Sequence, residues 1–235
     1  AIAMSLVVPF GALADGLDED RVKELVLETI LENPGIVMEA VAILEQQQAA
    51  AAGMARSDVL TNQRNLLELD PNAPVLGNLD GDVTVVEFFD YNCPYCRRAM
   101  DEVQGLLDDD PDVRLVYREW PILGEGSVFA AKAALAAREQ GKYEAFHWAL
   151  MSMNGRAEEA SVMRVAAEVG LDVDQLRRDM EAPSIQEHLA TSMNLAQSLG
   201  FNGTPSFVVG EELVPGFVEK SQLVEVVETA RKSAE

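Results

Sequence analysis

The chain has 235 residues, which suggests one or two domains, and its hydrophobic fraction of 48% and aromatic fraction of 6% are ordinary for a globular protein with a sizeable core. Its formal charge of −22, from 40 acidic and 18 basic residues, would repel phosphate backbones and anionic lipid surfaces, so we expect no nucleic-acid binding. The charge favours solubility and says little about the fold.

The first 14 residues form a short apolar run that ends in Ala12-Leu13-Ala14. This pattern resembles the apolar core and small-residue cleavage site of a secretory signal peptide, without the usual basic start. The run is shorter than the roughly 20 residues of a membrane-spanning helix. We therefore predict a residual signal peptide over 1–14 and export to the periplasm, where disulfides are permitted. An ordinary apolar N-terminal arm is the alternative.

Residues 15–70 carry helical patterns and no strand pattern. Asn33-Pro34-Gly35 separates a first helix from a second one that begins at Ile36 and extends toward a glutamine- and alanine-rich run. The apolar face of the first helix comprises Val22, Leu25, Val26, Thr29 and Ile30. The segment carries more apolar surface than a lone helical hairpin can bury. It either packs on the rest of the chain or pairs with copies of itself in another subunit.

A βαβ unit follows the helical segment. The run Val83–Phe89, VTVVEFF, has the β-branched and aromatic composition of a buried strand, and CPYC directly after it opens a helix that extends to about Leu107. Val113–Trp120 is the next predicted strand. A strand, a helix and a strand in this order predict a parallel pair.

Helical patterns fill the stretch from Ser127 to about Leu199. The loop Gly203-Thr204-Pro205 then precedes a short strand, SFVVG, and its predicted partner, ELVPG. A last helix runs from Ser221 to about Lys232. The predicted class is therefore α/β, with helices inserted between the strands.

The only two cysteines, Cys93 and Cys96, stand in the CPYC stretch. A closed structural zinc site needs about four ligands, and the two histidines, His147 and His188, stand far along the chain in helical patterns. We expect His147 on a helix face near the core and His188 exposed. A structural disulfide over so short a loop would remove little unfolded-state entropy. A redox-active dithiol remains, as C-x-x-C near a βαβ pattern indicates.

The order of residues assigns a role to each sulfur. Pro94 suits the first helical turn because its missing N–H would have no partner there. The helix N-terminus favours negative charge at Cys93 and can bring a thiol pKa from about 8.5 to between about 3.5 and 7.5. We therefore predict Cys93 as the attacking thiolate and Cys96 as the resolving thiol. Arg97 and Arg98 add positive charge, and we expect both as solvated side chains.

The sequence VVEFFDYNCPYC, the later Gly203-Thr204-Pro205 loop before a strand and the helices between strands resemble the DsbA-like disulfide oxidoreductases over about residues 74–235. The resemblance implies a thioredoxin fold with an inserted helical subdomain, preceded by an N-terminal helical segment. It implies a catalytic domain over 71–235, with the helical insertion at about 121–200. It implies no cofactor.

The resemblance also implies roles for individual residues. Pro205 matches a cis proline that faces the dithiol, with Thr204 before it; a plain turn proline is the alternative. Thr204, Pro205, Pro94 and Tyr95 are thus the expected substrate-binding residues. Related thioredoxin-fold proteins carry a buried acid six residues before the first cysteine, where Glu87 stands. Buried and unpaired, this acid would have a raised pKa and could relay the proton of Cys96; pairing with a basic group such as Lys132 is the alternative.

The whole chain most resembles the suppressor of copper sensitivity C (ScsC) proteins, which place a helical segment before a DsbA-like domain. This implies that 15–70 is an oligomerisation segment, that the protein is a homo-oligomer such as a trimer, and that it acts as a disulfide isomerase with a role in copper tolerance. The implied partners are unfolded or misoxidised proteins, a membrane redox partner and, secondarily, Cu(I) on the Cys93 and Cys96 thiolates. A monomeric DsbA-like oxidase and a copper-binding or chaperone-like protein with an incidental dithiol are the alternatives.

Overall fold

The computed structural model describes residues 18–234, so the predicted segment 1–14 lies outside the described residues. Over the described range the chain forms ten α-helices, one short 3-10 helix and five strands. Within this range it divides into two compact units, with the boundary between residues 51 and 52. Within residues 18–234, no helix combines the length and the apolar character that crossing a membrane requires.

The first unit consists of helix α1, Glu19–Glu32, and the first part of helix α2, Gly35–Thr61. Asn33 closes α1 with a backbone hydrogen bond to Thr29 O at 3.0 Å, and Pro34 cannot continue the helix. The predicted break is therefore confirmed. Large apolar side chains of both helices are exposed, among them Leu27, Leu31, Met38, Ile43 and Leu44.

The second unit begins inside α2. Val59 of α2 and Leu67 of the short helix α3, Arg64–Glu68, are fully buried in one of its core clusters. Residues 52–70 thus belong to this unit because they contribute to its core. The compact division lies earlier than the boundary predicted at 70/71.

A five-stranded sheet in the order β1-β3-β2-β4-β5 forms the centre of the second unit. The strands are β1 Val75–Gly77, β2 Val83–Phe89, β3 Val113–Glu119, β4 Ser206–Val209 and β5 Glu212–Pro215. Strands β2 and β3 are parallel and are joined by helix α4, Pro94–Asp109, as predicted, while the other pairs are antiparallel. Strand β1 was not predicted, because a three-residue strand gives no recognisable alternation in the sequence.

Alternation along β2 sends its side chains to two cores. Val85 and Phe89 pack in the larger cluster, which also contains both cysteines, whereas Val86 and Phe88 pack in the smaller cluster with Val59. Glu87 shares the parity of Val85 and Phe89. It therefore lies on the face of the sheet that carries the dithiol.

Helices α5 to α9 and the 3-10 helix stand between β3 and β4, and α10 ends the chain. Their bounds are α5 Glu125–Ala136, 3-10 Ala137–Gln140, α6 Tyr143–Ser152, α7 Glu159–Glu168, α8 Val173–Asp179, α9 Pro183–Leu199 and α10 Lys220–Ala234.

The predicted burial is confirmed for one of the two histidines of this helical region and wrong for the other. His147 is buried on α6, near the core as expected, and its Nδ1 lies 3.0 Å from the hydroxyl of Tyr91. The prediction that His188 is exposed is wrong. It is fully buried, because α9 packs on β3 and brings its Nε2 to 2.6 Å from Glu119 Oε2.

Candidate active site

The strand β2 and the helix α4 place the two cysteines. After β2 ends at Phe89, a short loop leads to Cys93, which is the N-cap of α4, with Pro94 in the first turn. The backbone N–H of Cys93 donates to Asp90 O at 3.0 Å and fixes the loop. Both cysteines are free thiols. The sequence predicts this arrangement, in which Cys93 follows a strand and stands at the start of a helix.

The surroundings of Cys93 favour its thiolate. The pKa of Cys93 is lowered to about 6, first by hydrogen bonding from the Cys96 thiol and then by the Thr204 side chain and the backbone N–H groups of Cys96 and Tyr95, against an opposing effect of burial. As a thiol, Cys93 Sγ donates to the backbone oxygen of Thr204 at 3.1 Å. A pKa near 6 leaves the sulfur largely ionised at neutral pH.

The pKa values of Cys96 and Glu87 are raised, in contrast to that of Cys93. Burial raises the pKa of Cys96 well above its ordinary value, and the neighbouring Cys93 and Glu87 raise it further. Burial raises the pKa of Glu87 to about 8, and the charge of Cys93 adds to this shift. Among the described residues no cation lies within ion-pair distance of Glu87, so the predicted alternative of a pair with Lys132 is not formed. With a pKa of about 8, Glu87 can give up its proton in the protonated form and take one up in the ionised form.

The loop before β4 faces the dithiol. The peptide bond between Thr204 and Pro205 is cis, as the resemblance implied. Thr204 contacts Cys93 through the hydrogen bond described above. Pro205 O accepts from the N–H of Gly216 at 2.9 Å, which ties this loop to the segment after β5. Thr204, Pro205 and Cys93 are therefore brought together from sequence positions more than a hundred residues apart.

Pro94 and Tyr95 are exposed beside the sulfurs, and 55% of Tyr95 is accessible although Cys93 itself is only 5% exposed. The expectation that Arg97 is solvated is wrong. Its guanidinium is half-buried because it donates to the backbone oxygens of Tyr91, Met153 and Gly155 at 3.1, 2.9 and 2.7 Å. Arg98, by contrast, is exposed as expected.

Sequence reasoning missed two residues beside the site. Asn92, directly before Cys93, hydrogen bonds to Ala157 in the loop before α7. Phe217, after β5, lies near Tyr95, with ring centroids 6.5 Å apart. The position of Asn92 next to CPYC was a signal of proximity, but no local pattern links Phe217 to the dithiol. Within residues 18–234, no three Cys, His, Asp or Glu side chains form a cluster that could hold a metal ion.

Two family descriptions match this sequence. The model of the DSBA-like thioredoxin domain matches residues 84–228, more than half of the chain. The chain belongs to the DsbA-like thioredoxin family. The N-terminal part of this DsbA-like chain, residues 18–51, matches the model of the copper resistance protein ScsC N-terminal domain. The predicted α/β thioredoxin fold with preceding helices, and the resemblance to ScsC proteins, are thereby confirmed.

Solved structures agree with this assignment. The DsbA-like chain is 75% identical to a thioredoxin-like oxidoreductase from Silicibacter pomeroyi DSS-3, with a TM-score of 0.71 over 72% of this chain and 98% of that one. A linker-deletion mutant of Proteus mirabilis ScsC gives 26% identity and a TM-score of 0.70 over 95% and 99% of the two chains. A periplasmic thioredoxin-like protein from Salmonella enterica serovar Typhimurium gives 29% identity and a TM-score of 0.64 over 73% and 97%.

Part of this DsbA-like chain is also similar to a segment of much longer proteins. The Na(+)/H(+) antiporter NhaA 3 of Salinispora tropica is 33% identical over 147 residues, which are 61% of this chain and 22% of the antiporter. The NhaA 1 protein of Salinispora arenicola is 32% identical over the same shares. The chain therefore spans less than a quarter of the length of these curated relatives.

Proposed function

We propose that this protein is a thiol–disulfide oxidoreductase that exchanges disulfides with folding proteins in the periplasm. The observation that carries the proposal is the asymmetry of the dithiol. Cys93 has a pKa of about 6 at the start of α4, whereas the pKa of the buried Cys96 is raised. The sulfur of Cys93 is therefore suited to attack a disulfide, and the sulfur of Cys96 remains a protonated thiol until Cys93 has reacted.

The reaction begins at Cys93. Its thiolate attacks one sulfur of a client disulfide, and the other client sulfur leaves as a thiolate. The client is then joined to Cys93 in a mixed disulfide. Thr204, Pro205, Pro94 and Tyr95 form the rim on which the client segment lies.

The mixed disulfide can react in two ways. If another client thiolate attacks the client sulfur bound to Cys93, the client leaves with a rearranged disulfide, Cys93 leaves as a thiolate, and no electrons are gained or lost overall. In the mixed disulfide Cys93 carries no charge, so its contribution to the raised pKa of Glu87 is removed. If Cys96 attacks Cys93 instead, the ionised carboxylate of Glu87 takes up the Cys96 proton, a Cys93–Cys96 disulfide closes, and the client leaves reduced by two electrons. A membrane redox partner would then restore the dithiol by supplying two electrons.

We further propose that the protein acts as an oligomeric isomerase. The N-terminal helices of the predicted segment 15–70 serve oligomerisation, while residues 52–70, which contribute to the core of the second unit, belong with the catalytic domain predicted over 71–235. The match of residues 18–51 to the ScsC N-terminal domain and the exposed apolar side chains of α1 and α2 support this. Several dithiols around one client would favour rearrangement over simple oxidation. The signal-like run over 1–14 and the periplasmic Salmonella relative support export.

Refolding of scrambled ribonuclease by the full chain tests this function. We expect recovery of ribonuclease activity, and its loss in Cys93→Ala. The double variant Leu31→Lys with Leu44→Lys should become monomeric in sedimentation and lose isomerisation, while it retains exchange with a small peptide disulfide. Leu79→Lys, at an equally exposed leucine of the second unit, is the control. A monomeric parent chain would favour a monomeric DsbA-like oxidase, and activity that survives Cys93→Ala would favour a binding or chaperone-like protein.

A second function concerns copper. The family description that matches residues 18–51 is that of a copper resistance protein, and paired thiolates suit Cu(I). We propose Cu(I) binding at Cys93 and Cys96. Competition against a chromogenic Cu(I) chelator should show binding by the reduced protein and none by the double variant Cys93→Ser with Cys96→Ser. Equal competition by both would place copper elsewhere.

A further inference from the structure

A cationic and aromatic surface adjoins the dithiol. It consists of Tyr95, Arg98 and Phe217, and we refer to it as the aromatic–arginine patch. The guanidinium carbon of Arg98 lies 4.6 Å from the ring centroid of Phe217 and 5.9 Å from that of Tyr95. Both distances are within the range of cation–π attraction. The two rings therefore hold the arginine in one place on an otherwise exposed surface.

Arg98 has no carboxylate partner among the described residues. Some exposed arginines in that part of the chain pair with acids, as Arg164 does with Glu168 at 2.7 Å, and others, such as Arg56 and Arg178, do not. What distinguishes Arg98 from these other arginines is its contact with two rings and its position two residues after Cys96, beside the reactive sulfur. The guanidinium lies over the ring of Phe217, and its N–H edge is left to bind an anion.

The patch lies where a client must pass. Tyr95 stands between the two cysteines, and Arg98 follows Cys96 by two residues on α4. Phe217 directly follows Gly216, whose N–H bonds to Pro205 O. The patch is thus fixed on one side to the dithiol helix and on the other to the Thr204–Pro205 loop. A client segment bound at that loop would pass over it.

We propose that the aromatic–arginine patch selects clients whose reacting cysteine is flanked by an aspartate or a glutamate. The guanidinium can donate two parallel hydrogen bonds to such a carboxylate. This inference rests on the proposed function and names its preferred substrates. The overall charge of −22 opposes acidic clients at long range, but at about 0.15 M salt that repulsion is screened beyond about 8 Å, whereas a direct contact persists.

Three matched peptides test the preference. Each carries one cysteine as a mixed disulfide with thionitrobenzoate, and the residue after the cysteine is Asp, Asn or Lys. The second-order rate constant of the reduced full chain with each peptide is measured at 0.15 M salt from the released chromophore. We expect the Asp peptide to react about fivefold faster than the Asn peptide, which is the size of effect of an exposed charge contact, and the Lys peptide to react more slowly.

Variants assign the preference to the patch. Arg98→Gln should bring the Asp-to-Asn ratio to one, Phe217→Ala should lower it, and Arg164→Gln should leave it unchanged. The ratio of two peptides is used because a shift in the pKa of Cys93 changes both rates equally. Equal rates for the three peptides, or a ratio that persists in Arg98→Gln, would overturn the inference and leave the oxidoreductase activity standing. Failure of every peptide to react would instead overturn the proposed function.

Discussion

Asn92 and Ala157 form a reciprocal pair of hydrogen bonds. The side-chain nitrogen of Asn92 donates to Ala157 O at 3.0 Å, and its side-chain oxygen accepts from Ala157 N at 2.7 Å. The same nitrogen also lies 3.1 Å from the hydroxyl of Ser127 on α5. These hydrogen bonds join Asn92, the residue directly before Cys93, to the helical insertion.

Replacement of Asn92 by Ala should therefore affect stability and exchange together. Ala157 is fully buried, so the change leaves a buried N–H and a buried C=O without partners. Each such loss costs about 1–3 kcal/mol, so for the two groups together we expect the free energy of unfolding in urea to fall by about 2–6 kcal/mol. The rate of exchange should also fall because Cys93 is held less firmly. Asn62→Ala, at an exposed asparagine of the same unit, is the control and should change neither quantity.

The pKa of Cys93 should depend on what stands at position 96. Hydrogen bonding from Cys96 is the largest cause of its lowered pKa, so Cys96→Ala should raise the pKa from about 6, while Cys96→Ser keeps a donor and should raise it less. Thiolate absorbance of the reduced proteins between pH 3 and pH 9 measures both. Because the thiolate is the nucleophile, alkylation of the parent protein should become faster as the pH rises through 6 and then level off. An unchanged midpoint in Cys96→Ala would contradict this account of the shift.

Glu87 should make stability depend on pH. Its pKa is about 8 in the folded protein against an ordinary 4.5, so the folded state favours the protonated acid. Relative to Glu87→Gln, the reduced parent protein should lose stability as the pH rises from about 4.5 to about 8, by up to about 1.4 kcal/mol per pH unit, and the difference should be constant outside that window. Urea unfolding of both proteins at several pH values measures the difference. A difference that does not vary with pH would show that folding leaves the pKa of Glu87 unchanged, and would contradict the shift.

Arg118 should contribute strongly to the stability of the second unit. It is fully buried on β3, where it donates to Asp70 at 2.6 Å and to the backbone oxygens of Leu66 and Leu67 at the end of α3. Arg118→Met leaves a buried carboxylate and these backbone oxygens without their donor, so we expect a loss of about 3–5 kcal/mol in urea unfolding. Arg164→Met removes an exposed pair and should cost less than about 1 kcal/mol. Similar losses in the two variants would refute the importance of the buried pair.

Neighbouring residues determined the centre of this site, which is why the sequence predicted it. VTVVEFF makes a buried strand, CPYC begins a helix, and the thiolate of Cys93 is favoured by groups two and three residues away, together with Thr204. Local chemistry of this kind is present in any chain that carries the motif. The break at Asn33-Pro34-Gly35 was predicted for the same reason.

Contacts between distant residues were decided only by the tertiary structure. His188 is buried because α9 packs on β3, and Arg97 is held by oxygens of an insertion more than fifty residues away. Phe217 reaches Arg98 only because β5 pairs with β4 and the loop after it returns to the dithiol. Periodicity in a sequence tells which side of an element faces inward, but the partner on the other side depends on how the elements pack.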